Sequence, residues 1–203
     1  VPDPALVGSW KVALKKFVDR KNEEGENGEE ILAQIDLCTS NDPDADRFGL
    51  VIRISIDEIP QDEKVAEAMG VAWILSPALQ KKYGFGGFRV VPPNEWGALI
   101  AWYDFMMRQQ RDGGIIKDKE KLRVALTHVT SGLLERVAQK FGIIRAILPV
   151  GVDQIADYID KREHEGLEVI AAIEESGTYA TSSHILDKDG FLAGVRILEI
   201  ASY

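Results

Sequence analysis

Three aspartates stand at alternate positions in the segment Asp42-Pro43-Asp44-Ala45-Asp46, and Arg47 follows directly. Carboxylates this close repel one another, by about 1 kcal/mol for a pair ~4 Å apart in water and about 4 kcal/mol at an effective dielectric constant of about 20. A bound cation removes that repulsion, and carboxylate oxygens are hard ligands that suit Mg²⁺. Mg²⁺ usually keeps positions for water or a substrate phosphate, and the planar guanidinium of Arg47 suits phosphate oxygens. The segment predicts a magnesium site with Asp42, Asp44 and Asp46 as candidate ligands.

The aspartate segment also has other interpretations. An Asp- and Pro-rich stretch is often only a solvated β-turn, and spacing alone leaves this alternative open. A calcium-binding EF-hand loop fits poorly, because Arg47 stands where the sixth position needs Gly and Arg53 where the twelfth needs Glu. A phosphatase of the haloacid-dehalogenase type requires Thr or Val two residues after its second aspartate, and Asp46 offers neither.

A second polar motif, Glu174-Glu175-Ser176-Gly177, follows the apolar run 167–173. Ligands of α/β sheets bind beyond the carboxyl ends of strands, where this motif would lie. The carboxylate of Glu174 and the hydroxyl of Ser176 are suited to gripping sugar hydroxyls, and Gly177 permits a sharp turn. A polar turn without a ligand is the alternative. The later motif Asp187-Lys188-Asp189-Gly190 has a simpler structural interpretation, with Asp189 as a helix N-cap.

The elements that must position these residues follow from hydrophobic periodicity and from Gly and Pro punctuation. The chain predicts a helix over the stretch Leu6–Val18, buried strands at 31–39 and 48–56, and an irregular connector from Asp57 to Pro93. Beyond it, strands alternate with helices, which indicates an α/β fold with a mixed sheet covered by helices. The predicted elements of this part are helix 95–110, strand 122–129, a helix capped by Ser131 and ended by Gly142, strand 143–148, helix 152–162, strand 167–173 and helix 191–202.

Composition narrows the classes of partner. The 203 residues carry 24 Lys and Arg against 33 Asp and Glu, a net charge of −9. This balance argues against nucleic acid and against an anionic membrane, because phosphates would be repelled. No apolar run approaches the roughly 18–20 residues that span a bilayer. The single cysteine, Cys38, excludes an internal disulfide and favours the cytoplasm. The absence of an initiator Met before Val1 suggests an internal piece of a longer protein.

The motifs together, in this order, resemble the α-D-phosphohexomutase superfamily of phosphoglucomutases and phosphomannomutases. The resemblance runs from about Ile31 to the end of the chain, apart from the stretch Asp57–Gly87, and it implies a four-domain enzyme around a cleft. It assigns residues 1–58 to the end of a metal-binding second domain, 59–91 to a connector and 92–203 to an intact sugar-recognition third domain. The residues that carry it are Asn41–Arg47, Thr130-Ser131, Glu174–Gly177 and Asp187–Gly190.

The resemblance also implies roles for individual residues. Asp42, Asp44 and Asp46 would bind Mg²⁺, Arg47 would be a neighbouring cation, and Glu174 and Ser176 would recognise the sugar. The implied reaction interconverts hexose 1- and 6-phosphates of glucose or mannose through a phosphoserine and a 1,6-bisphosphate, with a glucose 1,6-bisphosphate-type activator.

The sequence lacks two segments that the family uses. Neither the phosphoserine segment of the T-A-S-H-N-P kind nor the phosphate loop of the R-x-S-G-T-E-P kind is present. The first and fourth domains are therefore expected to be missing partners, and no catalytic residue is expected in this piece, which would be inactive alone.

Two departures from the family pattern bear on specificity. Gly151-Val152-Asp153 stands where many relatives have Gly-Phe-Lys, so a substrate-contacting lysine is absent. Thr178-Tyr179 stands where relatives often have Gly or His. The first departure supports an alternative function, a non-catalytic sugar-phosphate-binding module derived from the family.

Overall fold

The computed structural model describes residues 3–184 and 189–203, so Asp187 and Lys188 of the last motif lie outside the described residues. The chain divides into two compact units. The first contains the chain up to Asp42 together with Gly49–Pro92, and the second contains Pro43–Phe48 together with Pro93–Tyr203. Among the described residues, no helix has the length and apolar character needed to cross a membrane.

The first unit contains α-helices of 5 to 17 residues and one four-stranded sheet. Its helix α1 buries Trp10, Leu14 and Val18, which recur every four residues and so share one face. Asn27 caps α2 through a hydrogen bond that its side chain accepts from the amide of Glu30. The elements are α1 (Val7–Glu23), α2 (Gly28–Leu32), β1 (Leu37–Asn41), β2 (Phe48–Ile54), α3 (Glu63–Ala68), β3 (Val71–Ile74), α4 (Pro77–Tyr83) and β4 (Gly87–Val91).

The strands of this unit form a sheet in the order β1-β2-β4-β3. The strand β4 lies inside the sheet and pairs antiparallel with both β2 and β3. One face of the sheet packs against the buried side of α1 in a core that includes Leu32, Val51, Leu75 and Phe88. Phe85 stacks edge-to-face on Phe88, with 5.5 Å between ring centroids.

The second unit alternates strands and helices. Its helix α6 ends at Gly142, which adopts the left-handed conformation (φ 71°) that favours glycine. Asp189 caps α8 by accepting a hydrogen bond of 2.9 Å from the amide of Leu192. The elements are α5 (Pro93–Arg111), β5 (Leu122–Thr127), α6 (Leu133–Phe141), β6 (Ile144–Leu148), α7 (Val152–His164), β7 (Glu168–Glu174), β8 (Thr178–Ala180) and α8 (Gly190–Ser202).

The sheet of the second unit has the order β6-β5-β7-β8, with the first three strands parallel and β8 antiparallel to β7. Consecutive residues of a strand point to opposite faces. Ala172 of β7 packs with Ile155 and Ile159 of α7, whereas Ile173 packs against Gly97 of α5. Helices therefore cover both faces, which confirms the α/β prediction for this part of the chain.

The structure differs from the sequence-based elements at several places. The segment 57–93, predicted to be irregular, contains α3, β3, α4 and β4. The strand predicted at 31–39 begins only at Leu37, because α2 occupies the residues up to Leu32. Ser131 does not cap α6; the N-cap is Gly132, without a side-chain hydrogen bond. The short strand β8 was not predicted.

We expect Gly87→Ala to destabilise the protein by about 1–3 kcal/mol, the usual range for overpacking. A Cβ at Gly87 would lie 2.1 Å from the backbone oxygen of Trp73 and 3.0 Å from Cα of Ile74, so the paired strands must separate. The control is Gly8→Ala in α1, where a Cβ meets nothing within 4 Å and helix propensity improves. Urea unfolding should show a lower midpoint for Gly87→Ala only; equal midpoints would mean that β4 is not a tightly packed inner strand.

Candidate functional site

The aspartate segment forms a tight loop between β1 and β2. Asp42, Asp44 and Asp46 each offer a carboxylate oxygen, and these oxygens lie within 4.8 Å of one another. Asp44 is exposed, while Asp42 and Asp46 are half-buried. Ala45, between two of the aspartates, has φ 58°, so the loop turns through the left-handed region. The structure thus brings together the three residues that the sequence predicted as metal ligands.

The donor set fits a magnesium ion. Mg²⁺–oxygen bonds are about 2.1 Å long, so two ligands of one ion lie at most about 4.2 Å apart. The spacing within 4.8 Å therefore requires only small side-chain movements to close around an ion. Three carboxylates leave further octahedral positions for water or phosphate oxygens. Arg47 follows the loop, with its Nε 3.8 Å from Oδ1 of Asp46.

The second predicted motif forms the turn between β7 and β8. Glu174 is the last residue of β7 and is only 7% exposed. The hydroxyl of Ser176 donates to Oε2 of Glu174 over 3.0 Å and lies 3.2 Å from the hydroxyl of Thr178. Gly177 closes the turn with φ 95° and donates its amide hydrogen to the carbonyl oxygen of Glu174. We call Glu174–Thr178 the sugar loop, after its predicted role.

The sugar loop can grip hydroxyl groups. The two oxygens of a carboxyl group offer several lone-pair positions, so Glu174 can accept hydrogen bonds beyond the one from Ser176. Hydrogen bonds to this buried group are electrostatically stronger than hydrogen bonds in water, because the local dielectric constant is low. Thr178, which the sequence pointed to only as a departure from the family, is 1% exposed and completes the polar cluster.

Tyr179, the second residue of that departure, does not belong to the site. It is 1% exposed, and its hydroxyl donates to the carbonyl oxygen of Ile170 over 3.4 Å. Burial raises the pKa of the Tyr179 phenol far above its usual range, so the group stays protonated. Tyr179 therefore contributes to the core of the second unit rather than to ligand contacts.

Two buried threonines form hydrogen bonds at the carboxyl ends of β5 and β7. Thr127 ends β5, and its hydroxyl lies 2.8 Å from that of Thr130, which donates to the carbonyl oxygen of Ile173 over 3.4 Å. Both side chains are buried. This hydrogen-bonded pair joins the carboxyl end of β5 to that of β7, next to Glu174. The sequence singled out Thr130 only as part of a motif and gave no signal for its partner.

The loops meet through residues of the second unit. The amide of Phe48 donates to the carbonyl oxygen of Gly177 over 3.0 Å. Cβ of Arg47 lies 3.7 Å from the position that a Cβ on Gly177 would occupy. Phe48 and Arg47 therefore lie beside Gly177, the residue that follows Ser176 in the sugar loop. The sequence gave no reason for Phe48 to contact this loop.

The family profile "Phosphoglucomutase/phosphomannomutase, alpha/beta/alpha domain III" matches residues 92–203, which is more than half of the chain. The chain therefore belongs to this family, within the α-D-phosphohexomutase superfamily.

The chain is also similar in sequence to individual curated proteins. The chain is 28% identical over 169 residues to human phosphopentomutase, covering 82% of this chain and 22% of that protein. It is 33% identical over 119 residues to human glucose 1,6-bisphosphate synthase, covering 58% and 19%. The chain thus spans about a fifth of the length of these relatives.

A solved structure shows the same fold. The chain matches a phosphoglucomutase/phosphomannomutase family protein from Burkholderia thailandensis with a TM-score of 0.58 and 17% identity, covering 98% of this chain and 30% of that one.

We expect Thr127→Val and Thr130→Val to be strongly non-additive. Thr130→Val leaves the buried Thr127 hydroxyl without its partner at a cost of about 1–3 kcal/mol, whereas Thr127→Val leaves Thr130 its bond to the carbonyl oxygen of Ile173 and should cost less. The double change removes both hydroxyls. A double-mutant cycle by urea unfolding should give the double variant a stability close to that of the less destabilised single variant. Simple additivity would show that the hydroxyl pair contributes nothing as a unit.

Proposed function

We propose that this chain is the metal- and sugar-binding part of a mutase that interconverts hexose 1-phosphate and hexose 6-phosphate. The observation that carries the proposal is the contact of the aspartate loop with the sugar loop, made through Phe48 and Gly177. A mutase must hold a charged phosphate and a sugar ring side by side. Family membership supports the same class of reaction.

The proposed chemistry is the transfer of a phosphoryl group between a serine and the sugar. The P–O bond to the serine breaks as a P–O bond to a sugar hydroxyl oxygen forms, and the proton of that hydroxyl ends on the serine oxygen, giving a 1,6-bisphosphate and a free serine. In the reverse sense, the other phosphate then returns to the serine oxygen, whose proton ends on the sugar oxygen. Such transfers depend on positioning and on stabilisation of charge. The serine belongs to a segment that this sequence does not contain, so the piece alone is expected to show no turnover.

Each group of this chain has a role in that scheme. Asp42, Asp44 and Asp46 would hold Mg²⁺, which supplies Lewis-acid polarisation of a phosphoryl oxygen when bound. Arg47 would neutralise phosphate charge. Glu174 and Ser176 would hold sugar hydroxyls in either of the two orientations that the reaction needs, with glucose 1,6-bisphosphate or a similar compound as activator.

A second candidate is a sugar-phosphate-binding module without chemistry. Asp153 lies in the first turn of α7 and is exposed, where the family often has a lysine. A carboxylate at that position repels phosphate rather than attracting it, so the altered loop would weaken the substrate's phosphate anchor. The two candidates differ in turnover by the full-length protein.

We expect Asp44→Asn to weaken divalent-cation binding by at least roughly tenfold, the loss that even outer-shell changes at metal sites cause. Mn²⁺, used in place of Mg²⁺, can be titrated into the chain and its free fraction measured by electron paramagnetic resonance. Asp118→Asn is the matched control, because Asp118 is exposed and pairs only loosely with Lys121 at 3.5 Å. Equal affinity in both variants would exclude the aspartate loop as the metal site.

The sugar assignment is tested in the full-length mutase that we propose. Glu174→Gln should lower kcat/KM for glucose 1-phosphate by about 10- to 200-fold, because a hydrogen bond to a charged group contributes about 1.5–3 kcal/mol. Glu175→Gln is the control, since its side chain is the exposed neighbour in the same turn. Parallel assays with mannose 1-phosphate and ribose 1-phosphate would identify the preferred sugar. An unchanged Glu174→Gln enzyme would contradict the assignment, and a wild-type enzyme without turnover would favour the binding module.

A further inference from the structure

Phe48 is a fully buried residue at the end of the aspartate loop. Its ring packs edge-to-face on Trp96 of α5, with 5.2 Å between centroids and an interplanar angle of 86°. On another side stands Gly194 of α8, where a Cβ would lie 3.2 Å from Cε2 of the Phe48 ring. The absence of a side chain at Gly194 therefore leaves room for the ring between two helices.

The backbone of Phe48 also makes close contacts with Gly177. Its amide donates to the carbonyl oxygen of Gly177 over 3.0 Å. A Cβ at Gly177 would lie 3.0 Å from the carbonyl oxygen of Phe48 and 3.7 Å from Cβ of Arg47. Gly177 also has φ 95°. Glycine is thus required here both by conformation and by the close approach of two backbones.

A second backbone contact holds the middle of the aspartate loop. The amide of Gly190, the first residue of α8, donates to the carbonyl oxygen of Ala45 over 2.9 Å. The loop is therefore fixed at Ala45 and again at Phe48, on either side of Asp46 and Arg47. All of these residues belong to the second unit.

We propose that Phe48 and Gly177 are positioning residues that make the metal affinity of the aspartate loop depend on the sugar loop. This inference rests on the proposed function, because it assumes that the aspartates bind a divalent cation. A loop whose backbone is already fixed loses less conformational freedom when an ion binds, and this preorganisation raises affinity. The two loops then behave as one ligand-binding device, and a change in the sugar loop is transmitted to the metal.

The first test compares Gly177→Ala with Gly166→Ala in this chain. Both glycines have positive φ, 95° and 74°, so alanine is strained at either position. A Cβ at Gly166 meets nothing within 4 Å, whereas one at Gly177 meets the backbone of Phe48. Coupling between sites typically changes affinity by about 5- to 150-fold. We expect Gly177→Ala to weaken Mn²⁺ binding at least about fivefold, and Gly166→Ala to leave it within about twofold of wild type.

A second pair of variants keeps the inference testable if Gly177→Ala does not fold. Phe48→Leu removes the ring that anchors the loop, and Phe88→Leu removes a ring from the core of the first unit. Both phenylalanines are fully buried and belong to one edge-to-face pair each. Thermal unfolding should show comparable destabilisation. Only Phe48→Leu should broaden the bound Mn²⁺ spectrum and lower the affinity.

The outcomes separate this inference from the proposed function. If wild type binds Mn²⁺, Asp44→Asn abolishes binding, and Gly177→Ala and Phe48→Leu bind as wild type does, the positioning role is wrong while the metal site stands. If wild type binds no Mn²⁺, the metal site itself fails, and the positioning role fails with it. Selective weakening in Gly177→Ala and Phe48→Leu, with both controls unaffected, supports the coupling of the two loops.

Discussion

The packing of the buried Phe48 is the interaction on which the proposed site depends. Its ring lies between Trp96 and Gly194, and its amide bonds to Gly177. Under the proposed positioning role, loss of this contact would let the three aspartate carboxylates move apart to reduce their repulsion. With this contact, folding fixes the backbone at the end of the loop, and the repulsion between carboxylates is offset by the apolar and aromatic packing of a residue that carries no charge. The same contact sets the aspartate loop beside the sugar loop.

The second unit was the part of the fold that the sequence predicted best. Its helices are long and amphipathic and its strands are apolar, so each element carries its own signal. The first unit was predicted less well. Its strand β4 pairs with β2 on one side and with β3 on the other. Because β2 is distant from β4 in sequence, the local sequence does not reveal this pairing. The cluster Gly84–Gly87 reaches into the first residue of that strand and Pro92-Pro93 follows its last, and both resemble the punctuation of a loop. In the structure, Gly87 instead allows β4 to lie close to β3, since a Cβ at this position would overlap the backbone of Trp73.

The side chains of the site were predictable for a related reason. Asp42, Asp44 and Asp46 are close in sequence, and so are Glu174 and Ser176; short spacing alone brings each group together. The contact between the groups was not predictable, because Phe48 and Gly177 are far apart in sequence and meet only through the fold. Phe48 looked like the first residue of a strand, which it is, and nothing in a single sequence distinguishes a strand residue that also anchors a loop.

Under the proposed function, the net negative charge of the chain limits where phosphate can bind. A net charge of −9 opposes phosphate binding in general, so binding must depend on local positive charge. The proposed divalent ion reverses the sign of the field at the aspartate loop, and Arg47 adds a permanent cation beside it. Asp153, in contrast, adds a negative charge to the first turn of α7, where a helix N-terminus would otherwise attract anions. Under the proposed function, phosphate is therefore expected to be held at the aspartate loop and not at α7.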